Sequence, residues 1–75
     1  MSTPEMRYEI GWMKDNDASV ENAVSTKAAA VSWAVLQSCR REYTYYVFDR
    51  MARHGSICRW DFENGLIVNQ VMRDK

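Results

Sequence analysis

The sequence predicts an α+β domain in which one amphipathic helix packs on an antiparallel sheet. Three observations lead there. Ala28 to Cys39 holds strong helix formers and no Gly or Pro, residues 44–51 and 56–63 are dense in aromatic and β-branched side chains, and an Asn64-Gly65 pair separates two apolar runs. A chain of 75 residues has room for one hydrophobic core, and a composition 47% hydrophobic and 12% aromatic with a single Pro favours packing over disorder. The expectation is one domain spanning 1–75, with residues 1–5 loose.

In chain order, Tyr8, Ile10 and Trp12 alternate with Arg7, Glu9 and Gly11, the period of a half-buried strand over Arg7–Lys14. Residues 15–24 (DNDASVENAV) are rich in short polar side chains that compete for backbone hydrogen bonds, which predicts a surface loop. Ser25 is the expected N-cap of a helix beginning at Thr26, and Arg40 and Arg41 complement its negative C-terminal pole. At helical spacing, Ala28, Val31, Val35 and Cys39 form the stripe expected to face the sheet, flanked by Ser32 and Leu36. Trp33 lies roughly opposite Val31, beside Ala30, Gln37 and Arg40, and is exposed unless the 15–24 loop folds over it.

Thr44–Met51 and Ser56–Glu63 read as the next two strands. Asn64-Gly65 suits a type I′ turn, because both central positions need positive φ, and a hairpin to Leu66–Met72 follows. That turn sets Glu63 against Leu66, Phe62 against Ile67, Trp60 against Asn69 and Cys58 against Val71. A three-residue Arg53-His54-Gly55 loop pairs Phe48 with Trp60 and Tyr46 with Phe62. The expected element order is β-α-β-β-β, with Tyr46, Phe48, Trp60, Phe62, Ile67 and Val71 beneath the helix. Tyr45, Val47, Met51, Ile57, Leu66, Val68 and Met72 then fall on the opposite face, among Arg59 and other polar residues, and make it unusually apolar for a surface left in water.

Charge restrains the functional reading. Ten basic and ten acidic residues cancel, so a strong positive field is missing, although residues 1–37 sum to −2 and residues 38–75 to +2. A nucleic-acid role would rest on Arg40, Arg41, Arg50 and Arg53 as phosphate contacts, with the neighbouring tyrosines as stacking platforms. No apolar run approaches the ~20 residues of a membrane span. Two cysteines and no recognisable leader point to the reducing cytoplasm.

Catalysis finds little footing. His54 is the only histidine and falls in a turn, with no serine or cysteine nucleophile at a recognisable spacing. Asp61 and Glu63 share a strand face, an ordinary arrangement for outward charges. Cys39 and Cys58 are expected as buried free thiols, and with one distant histidine they lack zinc-ligand spacing. No glycine-rich phosphate loop or dinucleotide fingerprint occurs. The expectation is a protein that is not an enzyme and holds no cofactor or metal.

In size, charge balance and layout, a strand, a helix and a three-strand meander, the chain resembles small phage-encoded inhibitors of bacterial defence, including anti-CRISPR proteins. The resemblance carries no shared motif and transfers no residue. It implies a non-enzymatic module that blocks a nucleic-acid channel or subunit contact on a larger host complex such as a CRISPR-Cas effector, acting in the host cytoplasm. The residues expected to contact a protein partner are Trp33, Gln37, Arg40, Tyr45, Val47, Arg59 and Val68. Direct nucleic-acid binding and homodimerisation through the outer sheet face are the rival readings.

Overall fold

The computed structural model describes residues 6–74, so the expectation of a loose 1–5 segment lies outside the described residues. Its elements are β1 (Tyr8–Lys14), β2 (Asp17–Val24), α1 (Lys27–Arg40), β3 (Thr44–Asp49), β4 (Ile57–Glu63) and β5 (Leu66–Met72). The five strands form one antiparallel sheet in the order β2-β1-β3-β4-β5. The helix lies over β3, β1 and β4 and reaches β2, which leaves β5 outside its main footprint. The α+β class stands, with one strand more than the sequence suggested.

The added strand is β2, in the segment read as a loop. Lys14 pairs with Asp17 across a two-residue Asp15-Asn16 turn, and Asp15 takes the positive φ of 56° that a short acidic side chain tolerates. From there the chain runs back along the otherwise bare edge of β1, with a bulge between Ile10 and Gly11. Its backbone hydrogen bonds go to β1, which outweighs the weak strand propensity of its Asp, Asn and Ser side chains.

The helix begins one residue later than expected. Thr26 is the N-cap, and its hydroxyl accepts a hydrogen bond from the Ala29 amide. The buried face is Ala30, Ala34 and Ser38, with Val31 and Val35 on one flank and Trp33 on the other. It is turned about 100°, one residue step, from the expected stripe, so Ala28, Ser32, Leu36 and Cys39 face outward. Small residues let the helix sit close to a sheet whose own side chains supply the volume. Those side chains are Tyr8 and Ile10 from β1, Tyr45 and Val47 from β3, and Trp60 and Phe62 from β4. Lys27, in the first helical turn, places its ammonium 4.3 Å from the centre of the Trp60 ring.

The β3–β4 register also differs by one residue. Tyr45 pairs with Phe62, Tyr46 with Asp61 and Val47 with Trp60. The strand ends at Asp49 and not at Met51, because the Asp49 carboxylate accepts the Met51 amide and draws the chain out of the sheet into a connection longer than three residues. A one-residue slip exchanges the faces. Tyr45 and Val47, expected on the outside, are fully buried under the helix, and Tyr46 and Phe48 move to the outer face. Asp49 is buried too, held by both nitrogens of an Arg7 fork at 2.7 and 2.9 Å.

The Asn64-Gly65 turn forms as expected, with φ of 51° and 80°. Glu63 pairs with Leu66 and Phe62 with Ile67, after which Val68 is bulged out and Trp60 meets Gln70 where Asn69 was expected. Ile67 and Val71, assigned to the core by sequence, are exposed.

Candidate functional site

The outer face of the sheet is a polar lattice and not the apolar surface the sequence suggested. Gly11 makes room for it: a Cβ there would overlap the Tyr46 ring and the Ser19 carbonyl, so the ring lies flat across the glycine. The Tyr46 hydroxyl donates to Glu9 at 2.8 Å, and Glu9 also accepts from Arg50 at 3.0 Å. Arg59 stands over the same ring at 4.9 Å and donates to Asp61 at 2.8 Å, whose other oxygen accepts from Asn69. Burial and the Glu9 hydrogen bond push the Tyr46 hydroxyl up to about 12. On the helix side, burial followed by a 2.7 Å hydrogen bond to Glu21 pushes Tyr45 up to about 12 as well.

Residues proposed from sequence for partner contact are scattered by this arrangement. Tyr45 and Val47 are core residues and present nothing at the surface. Trp33, which the sequence left open between exposed and covered, is half-buried against the core, its indole N–H buried without a hydrogen-bond partner among the described residues. Gln37 is half-buried and Arg40 exposed at the helix end, while Arg59 belongs to the outer lattice. Val68 alone is an exposed apolar member of the set, 52% accessible.

The four arginines proposed for phosphate contact do not converge. Arg40 and Arg41 end the helix where the chain enters β3, and Arg50 and Arg53 follow the far end of that strand, roughly 20 Å away at 3.4 Å per residue. Arg50 is engaged by Glu9 and the Met6 carbonyl. Cys58 is buried, with its thiol toward the Val71 carbonyl, but Cys39 is exposed on the outward side of the helix, contrary to expectation. Among the described residues no three His, Cys, Asp or Glu side chains cluster as a metal site would require. No helix of the described residues is long and apolar enough to cross a membrane. An open recess of about 340 Å³ lies between the helix end and the hairpin turn, where Ser38 is already bonded to Gly65 and Glu63 to Thr44.

What remains is β5, whose Leu66, Val68 and Met72 the sequence placed on an exposed apolar face. Every residue from Leu66 to Met72 is exposed, and five of the seven are aliphatic or Met, led by Leu66 at 70%. The strand is nevertheless firmly placed. Its turn is pinned to the helix, Asn69 binds Asp61, and beyond Met72 the Arg73 amide and carbonyl continue the pairing to Ser56 and Gly55. Among the described residues its outer backbone edge has no neighbouring strand. Edge strands template pairing with other chains, and proteins blunt them with charge or proline. The opposite edge, β2, carries Asp17 and Glu21. β5 (LIVNQVM) carries neither charge nor proline, and what blunts it is irregular pairing with β4, at the Val68 bulge and again opposite Cys58. No protein-family model, curated protein or solved structure matches the chain.

Proposed function

We propose that this chain is a non-enzymatic protein-binding module whose contact surface is the β5 edge. The observation that carries the reading is an uncovered, uncharged aliphatic strand held rigid by its neighbours, beside an opposite edge that is protected by acidic side chains. Strand addition supplies main-chain hydrogen bonds for affinity and alternate side chains for selectivity. Likeness in size and charge balance to phage-encoded inhibitors supports a use of that contact to block a larger host complex, such as a CRISPR-Cas effector.

A photo-crosslinking side chain placed at Val68, with a second at Ser19 on β2 as control, tests the surface in bacterial cells. The module reading expects discrete protein adducts from position 68 and few from position 19. Absence of protein adducts at position 68, or equal yields at both positions, contradicts it.

A further inference from the structure

We infer that the occupant of the β5 edge is a second copy of this chain, joined antiparallel to form one continuous sheet of twice five strands. This rests on the reading of β5 as the contact surface and names what sits there. The strand is apolar at both ends, Leu66-Ile67-Val68 and Val71-Met72, and carries two amides, Asn69 and Gln70, between them. A two-fold axis perpendicular to the sheet near those amides lays the apolar end of one copy against the apolar end of the other. It also brings amide side chains, which both donate and accept, to the centre.

Charge allows this pairing and disfavours the alternative. No residue of β5 is ionised, so self-juxtaposition opposes no like charges, whereas two β2 edges would bring Asp17 and Glu21 of each copy together. The helix stands clear of β5, so the approach of a second strand is not blocked by α1. Both helices of the dimer then lie on the same face of the joined sheet, and the exposed Ile67 of each copy, paired with Phe62, shares that face. A seven-residue edge contact is small for a protein interface, so association is expected to be weak and concentration-dependent. A host surface that takes the same edge competes with the second copy.

Sedimentation velocity of the purified chain across the micromolar range is the test, run beside Val68→Lys and Leu66→Lys. Both positions are exposed and Val68 is unpaired at its bulge, so the variants keep the fold, which far-UV circular dichroism verifies. The weight-average mass is expected to rise with concentration from 8.8 kDa toward twice that value. Each lysine is expected to weaken association about tenfold or more, by setting a charged side chain into an apolar strand edge. A wild-type mass fixed at that of one chain overturns the inference, as does dimerisation undiminished in both folded variants. Protein adducts at position 68 to a different protein, with a purified chain that stays monomeric, overturn the second copy and leave the module reading standing.

Discussion

The Ser38 hydroxyl accepts a hydrogen bond from the Gly65 amide at 2.9 Å while donating to the Val35 carbonyl at 3.1 Å. The helix and the Asn64-Gly65 turn of the sheet are thereby tied together, and the start of β5 is fixed. Ser38→Ala removes the acceptor and leaves a partly buried amide unpaired, with an expected loss of about 1–3 kcal/mol. Urea denaturation measures it. An unchanged midpoint would mean that the turn is held by other contacts.

Gly11 sustains the outer lattice in the same specific way. Gly11→Ala drives a methyl group into the Tyr46 ring and the Ser19 carbonyl, and overpacking of that kind costs about 1–3 kcal/mol. Pairing Gly11→Ala with Tyr46→Ala in a double-mutant cycle checks the cause, because the penalty should shrink once the ring is gone.

How far the sequence could be read follows from these contacts. The hairpin at Asn64-Gly65 was legible because positive φ at both positions is a local demand. The face of β3 was not, because TYYVFD is apolar on both sides. Its register is decided by two remote residues, Gly11, which accepts Tyr46 outside, and Arg7, which takes Asp49. The helix stripe was misread because large residues were favoured, whereas close approach to Tyr45, Trp60 and Phe62 selects Ala30, Ala34 and Ser38. The missed β2 had one local signal, Asp15-Asn16 as a two-residue turn. Of the contact residues proposed from sequence, Val68 lies on the proposed edge; burial of Tyr45 and Val47 could not be seen without the register.

Alkaline stability should report on Tyr45 and Tyr46. Both are raised in the folded chain from the ordinary value near 10 to about 12, so the unfolded chain loses these protons first. The stability they contribute is complete below about pH 10 and is lost as pH rises through about 12, up to about 3 kcal/mol for each. Tyrosinate absorbance should show Tyr45 and Tyr46 ionising late or only on unfolding. Phe at position 45 or 46 should remove one late-titrating group. Titration of Tyr45 and Tyr46 near pH 10 in a folded sample would contradict the buried hydroxyls.

Acid acts at Asp49. The Arg7 hydrogen bonds, with the Met51 amide in support, hold its carboxyl below the usual carboxylate range. Its contribution is present above the unfolded value near 4 and is lost as pH falls through the lower folded value. The thermal midpoint of the wild type should therefore fall on acidification more steeply than that of Asp49→Asn. Parallel pH profiles for the two would remove the ion pair from the account.

The working surface assigned to this fold is β5, and amide hydrogen exchange as a function of protein concentration tests that assignment most directly. Protection of residues 66–72 is expected to rise as the concentration increases through the micromolar range, while β2, the other edge of the same sheet, stays unchanged. Exchange in β5 that is fast and independent of concentration, with new protection appearing on β2 or the helix, would contradict the account.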